Sequence, residues 1–253
     1  MDCVGPLAWT AEDCALMLGA MVSSEPEATR IEGFHPPDLS GLGDGVEGLR
    51  IGVVRHFYED DPHLDDDVLD AMERSLSTFE RLGARLSTAK LADFETYCAV
   101  SRTISWPEEY EEHRAELSAH PERFTAVTRS RFKDGENVSA ADYINARKQQ
   151  IVLTEELRRI MRDIDVLVLP TTKTPAQALG YEHTELGEIE LSLTRPFNVT
   201  GGPSLALCNG FTKAGLPTSI QIIGRHFEDG TVLRIGHALE TALGLRSRRP
   251  EIA

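Results

Sequence analysis

The segment from Pro196 to Gly224, PFNVTGGPSLALCNGFTKAGLPTSIQIIG, constrains the fold more than any other stretch. A Gly/Pro-punctuated turn leads into a short apolar run, Ser204 to Cys208. A polar linker, Asn209 to Pro217, separates it from a second run, Thr218 to Ile223. Two strand-sized apolar runs bounded by turn residues predict adjacent antiparallel strands joined by a long loop. Such runs, apolar throughout, need cover on both faces, as strands inside a helix-flanked sheet do.

Three other strands are expected. Leu49 to Val54 reads as a buried strand, Ala84 to Leu86 begins another, and Asp165 to Leu169 reads as a third, stopped by Pro170. Between them the apolar period switches to that of helices. Thr10-x-x-Asp13 has the form of a helix-capping box, followed by Ala11, Cys14, Ala15, Leu18 and Met21 or Val22 on one face. A loop rich in Gly, Pro and Asp follows over residues 23–48. Val68, Leu69, Met72, Leu76, Phe79 and Leu82 make a second helical stripe, with Gly83 placed to end it. Residues 93–164 are charged, helical and free of strands, with breaks expected at Trp106-Pro107, at His120-Pro121 and around Lys133 to Ser139. Ser139 and Asp142 offer a cap for the long helix after them, and Val232, Leu233, Leu239 and Leu243 line a final one. The fold class is therefore α/β, a mixed sheet flanked by helices and carrying a helical insert over 93–164. Five short strands are few for so many helices, which implies that the sheet is part of a larger one.

Composition excludes several functions. Of 253 residues, 41% are hydrophobic and 26% charged, so the chain has the makings of a packed core. The formal charge of −15 argues against nucleic acid and anionic membrane surfaces, which are bound through Lys and Arg. No apolar run approaches a membrane span, and the N-terminus lacks the basic flank of a signal peptide. Cys3, Cys14, Cys98 and Cys208 stand far apart without a C-x-x-C pair and read as the reduced thiols of a cytoplasmic protein.

Several fragments in order resemble the amidase signature family. They are Gly5-Pro6 with Thr10 and Asp13, Leu49 to Val54, Ile104, Glu108 and His113, Ser139 to Tyr143, and Val166 to Thr172 with Pro175-Ala176. Phe197-Asn198-x-Thr200-Gly201-x-Pro203, Gly210-Phe211-Thr212, Gly215-Leu216-Pro217, Gln221 to Gly224 and Leu233 to Glu240 complete the series. Trp9 departs from the arginine usual in its place. The resemblance implies hydrolysis of carboxamide C–N bonds by a nucleophilic serine, activated by a second serine and a neutral lysine, with backbone amides holding the oxyanion. It implies neither metal nor cofactor.

The same resemblance places Met1 inside the family's chain. It implies a C-terminal portion, one domain over 1–253, with the catalytic residues upstream of the segment that matches Asp2 to Pro6. The sequence contains no Gly-Gly-Ser-Ser-Gly stretch, and Gly201-Gly202-Pro203-Ser204 matches a structural turn instead. Its five lysines, Lys173 among them, fall on expected surface positions. No catalytic residue is carried over, and the chain is expected to be silent by itself. Its substrate would be a small amide bound by the complete enzyme. Its partner would be a separate N-terminal half or a second copy, since removing the rest of the fold exposes apolar faces. The alternative is a non-catalytic, complementing subunit. Leu191 stands where glutamine-dependent amidotransferase subunits carry an Asp, which favours a general amidase lineage.

Candidate pocket residues are Thr194, Phe197 and Asn198 in the loop before the first apolar run, and Trp106 and Tyr110 in the insert. Asn198 fits either a substrate contact or a hydrogen bond fixing the turn. Phe197 and Trp106 fit a pocket wall or plain packing. The acidic cluster Asp60 to Asp67 lacks the glycine and terminal Glu of a calcium loop and reads as a solvated helix start. His226 and His237 have no visible Ser or Asp partners.

Overall fold

The computed structural model describes residues 1, 3–22, 37–178 and 191–249. Asp2 and the first part of the expected 23–48 loop lie outside the described residues.

Five strands form one sheet: β1 (Arg50–Val53), β2 (Arg85–Thr88), β3 (Val166–Pro170), β4 (Ser204–Phe211) and β5 (Pro217–Gly224), in the order β2-β1-β3-β5-β4. Both neighbours of β1 run parallel to it, while β5 is antiparallel to β3 and to β4. Every residue of β3 is buried, as the continuous apolar run Val-Leu-Val-Leu requires. The loop between β4 and β5 is shorter than expected, because Asn209 to Phe211 extend β4 beyond a bulge between Cys208 and Gly210.

The helices are α1 (Ala11–Met21), α2 (Asp66–Arg81), α3 (Phe94–Ala119), α4 (Ala126–Glu136), α5 (Ala140–Ile160), α6 (Arg195–Thr200) and α7 (Asp229–Leu243). The expected caps form: the Asp13 and Asp142 amides donate to the Thr10 and Ser139 hydroxyls at 3.0 and 3.1 Å, and Asp65 caps α2. In α2, Val68, Met72, Leu76 and Phe79 are buried, and Gly83 beyond its end has φ +88°. α2 and α7 lie over the sheet face that carries Leu205, Leu207, Ile220 and Ile222; Leu205 and Ile222 approach Gly236 of α7. The opposite face of β5 is covered by the segment before α6, where the Gln221 amide donates to the Leu193 carbonyl at 3.0 Å. In α1, Ala11, Cys14 and Ala15 pack inward, but Met21, expected on that face, is exposed.

Two further expectations fail. The break expected at Trp106-Pro107 does not occur, because α3 runs through Pro107 for 26 residues. Proline removes one helical hydrogen bond, but neighbouring packing holds the helix. Gly135 of α4 lies so close to the Trp106 carbonyl that a Cβ there would collide with it. Nor is Lys173 a surface residue: it is 4% exposed, and its ammonium meets Asp61 at 2.5 Å.

A polar clamp joins the strand ends. Asp165, just before β3, accepts from the Arg50 amide at 2.8 Å, the Arg50 guanidinium at 2.9 Å and Arg225 at 3.0 Å. These bonds, Arg50's first, outweigh partial burial and hold the Asp165 pKa at about 2, below its ordinary 3.8. A carboxylate whose folded pKa is depressed stabilises the protein above its unfolded pKa, and the contribution disappears as pH falls from about 4 towards 2. Asp165→Asn is expected to cost roughly 2 kcal/mol at pH 7 and to flatten the acid limb of a stability-versus-pH curve, measured by urea unfolding. Gly135→Ala should lower stability by about 1–3 kcal/mol by overpacking the α3–α4 contact, checked by the same titration.

Candidate functional site

α6 carries the candidate residues across the sheet. At its start, Leu193 donates its amide to the Thr171 carbonyl at 2.9 Å, beside the carboxyl end of β3. At its finish, Pro203 accepts from Gly224, the residue opposite Val166 at the other end of β3. Of the trio, Phe197 and Asn198 line a cleft towards the finish of α6, and Thr194, one turn earlier, is not part of its lining.

Thr194 lies at the carboxyl end of β3, its hydroxyl 3.0 Å from that of Ser192, which bridges to Thr172. Lys173 and Asp61 are adjacent, and the Thr171 hydroxyl is buried with no hydrogen bond among the described residues. Burial by itself would raise the Asp61 pKa. Bonds from the Lys173 ammonium and the His63 amide more than offset it, so the pKa is lowered. The Lys173 ammonium also lies 5.4 Å from the Phe94 ring. One member of the acidic cluster thus serves an internal ion pair and not a solvated helix start, while Asp65 caps α2 as expected. Sequence reasoning missed this pair because its partners are 112 residues apart. The only local signal was a lysine directly after an all-apolar strand and its Pro-Thr-Thr turn.

Phe197 and Asn198 line a cleft of about 420 Å³ at the amino end of β4. Its walls include Gly5 and Pro6 before α1, Ser204 on β4 and His226 after β5. Phe197 is 2% exposed and forms an apolar wall. The Asn198 amide forms no hydrogen bond among the described residues; only its backbone amide does, to Thr194. The His226 Nε2 is buried without a partner there, and Phe227 beside it has φ +67°, a conformation that costs a non-glycine residue energy. The cleft therefore offers an uncommitted side-chain amide, that of Asn198, to orient a small polar group, while the His226 Nε2 is shut off behind its wall.

Trp106 and Tyr110 lie elsewhere. Neither is among the residues lining the Asn198 cleft; the Trp106 backbone carbonyl lies against Gly135 of α4, and the Tyr110 hydroxyl bonds Glu136, which raises its pKa. His237 accepts from Arg246 at its Nδ1, 3.0 Å away. Among the described residues, no group of three or more His, Cys, Asp or Glu is arranged to hold a metal, and no helix is long and apolar enough to cross a membrane.

Comparison with known proteins accounts for this architecture. Residues 1–233 match the Amidase family. The chain is 35% identical over 261 residues to an amidase of Pseudomonas putida, an alignment covering 100% of this chain and 55% of that protein. Among solved structures, a glutamyl-tRNA(Gln) amidotransferase subunit of Thermotoga maritima matches with a TM-score of 0.74 at 28% identity, covering 94% of this chain and 52% of that one. A component of a vestigial complex related to an s-triazine catabolic enzyme shares the fold, with a TM-score of 0.80 at 24% identity over 95% of this chain and 53% of that one. The chain belongs to the Amidase family. It spans about half the length of the curated relatives it matches.

Because its amide is uncommitted, Asn198→Ala is expected to change unfolding free energy by less than about 0.5 kcal/mol in a denaturant titration. A larger loss would return Asn198 to the role of turn anchor.

Proposed function

We propose that residues 1–253 form the pocket-bearing part of a hydrolase that cleaves carboxamide C–N bonds. The nucleophile and its activating groups belong to the portion of the family fold that these residues do not span. Membership of the Amidase family carries this reading. The sequence supports the division of labour, since it holds no Gly-Gly-Ser-Ser-Gly loop and its most buried lysine, Lys173, is committed to Asp61.

Within this reading Phe197 and Asn198 contact the acyl part of a small amide, and His226 faces the same cleft. Thr194, one turn earlier, is outside that cleft, and Tyr110 is held to Glu136 of α4. A general amidase is favoured over an amidotransferase subunit. Identity is 35% to the Pseudomonas putida amidase against 31% to the glutamyl-tRNA(Gln) amidotransferase subunit of Halorhodospira halophila, and Leu191 stands where those subunits carry an acidic residue. The second reading, a complementing subunit that works with a separate chain, uses the same surfaces.

The test is ammonia release from a panel of aliphatic and aromatic primary amides. Residues 1–253 alone are expected to release none, because transition-state stabilisation needs the nucleophile and oxyanion donors. Joined to the remaining portion of the family fold, in one chain or two, they should hydrolyse at least one substrate. Asn198→Ala should then raise KM more than it lowers kcat. Hydrolysis by residues 1–253 alone, or none by the joined protein, would refute the reading.

A further inference from the structure

The parallel part of the sheet has a switch point. From β1 the chain continues to β2 on one side, while β3 lies on the other, and both run parallel to β1. In open α/β sheets, ligands bind in the crevice outside the carboxyl ends of two such strands. Here the turn after β3 brings Thr171 and Lys173 to that end, and α6 begins beside it through the Leu193 amide on the Thr171 carbonyl. α3 packs against α4, α5 and α6 on the same side.

Four cations from four elements converge there. Arg102 of α3, Arg195 of α6 and Lys173 all lie within electrostatic reach of the Cys98 thiol, and Arg131 of α4 lies within reach of Arg195. Three of the four have a carboxylate. Lys173 meets Asp61, Arg102 meets Glu95, and Arg131 meets Glu109 at 3.0 Å.

Arg195 has no ion pair among the described residues. Of its five N–H groups, one reaches the hydroxyl of buried Ser101, at a long 3.4 Å. Its Nε and Nη2 make no hydrogen bond there, and neither is sealed from solvent. Burial, and then the like charges of Arg102 and Arg131, hold its pKa below the ordinary 12.5. The chain carries 41 Asp and Glu against 26 Lys and Arg, so a shortage of acids does not explain an arginine left without one. A half-buried guanidinium among like charges gains most from an anion that arrives from solution.

We infer that Arg195 anchors the carboxylate of a small-molecule ligand at the carboxyl end of β3, with the Ser101 hydroxyl as a second donor. The planar guanidinium matches a carboxylate through two parallel N–H bonds. One surplus positive charge is left once the other three cations are paired, and a monoanion balances it. A phosphate, with nearly two negative charges at neutral pH, exceeds it. The identity of this ligand rests on the amide hydrolysis proposed above: it is the substrate, an amide that also bears a carboxylate. Arg195 precedes Asn198 by three residues in α6, about 5 Å along the helix and within the length of such a molecule.

The experiment titrates residues 1–253 with sodium succinamate, with butanamide as its neutral analogue, and with inorganic phosphate at matched ionic strength. Affinity is read by calorimetry, and the site by the Arg195 Nε–H resonance in NMR. Succinamate is expected to bind, to shift that resonance saturably and to raise the melting temperature, whereas butanamide and phosphate do none of these. Arg195→Gln should weaken succinamate binding by about tenfold or more. Without ligand it should melt no lower than the parent, because it removes an unpaired charge and no ion pair. Arg195→Lys, which keeps the charge and loses the fork, should also bind more weakly. In the joined protein, Arg195→Gln should raise KM for succinamate and leave that for butanamide unchanged. Failure of succinamate to bind, binding of butanamide or phosphate as tight as that of succinamate, full affinity in Arg195→Gln, or a lower melting temperature of that variant would each overturn the inference. The titration needs no turnover. Succinamate that binds here but resists the joined protein counts against the hydrolase reading and leaves the carboxylate site standing, and hydrolysis of butanamide with no succinamate binding does the reverse.

Discussion

The complete burial of β3 is the constraint on which the other elements depend. A strand with no exposed residue needs a neighbour on each edge and a layer on each face, because its backbone polar groups must be paired and its side chains kept from water. β1 and β5 supply the edges, one parallel and one antiparallel. The Asp165 clamp holds the entry of β3 to both, tying Arg50 at the start of β1 to Arg225 just after β5. α6 then has to cross the sheet from one end of β3 to the other, which separates Thr194 from the cleft at Asn198.

Much of this was legible in the sequence, because it depends on local chemistry. β3 follows from an apolar run and a proline, α2 from its apolar stripe and its Asp65 cap, and the starts of α1 and α5 from Thr10 and Ser139. What the sequence concealed depends on contacts between distant residues. Pro107 looks like a helix end until α4 is seen against the Trp106 carbonyl. Lys173 looks like a solvated lysine until Asp61 is seen beside it. The candidate site was legible in part. Phe197 and Asn198 share a cleft, but His226 joins them only because β5 returns beside β4. Sequence spacing gave no sign that Thr194, one helical turn before Asn198, would lie outside that cleft.

The open edge of β4 and the Asn198 cleft beside it are consequences of one deficit. Cover on one face of the sheet extends through α2 and α7 as far as β4, whereas on the other it stops at β5. On the uncovered face the Ser204 and Ala206 side chains are exposed.

The Lys173–Asp61 pair has a consequence for how the chain reaches this state. Its partners come from the turn after β3 and the loop before α2, so the pair cannot close until β1, α2 and β3 have been brought together. Closing so long a loop costs entropy that only the assembled sheet repays. The ion pair therefore forms late, after the strands have found their register. A lysine arriving before its carboxylate would have to remain in water, so the pair seals the carboxyl end of β3 only once the rest of that end is in place. It acts as a latch on completed folding and not as a nucleus for it.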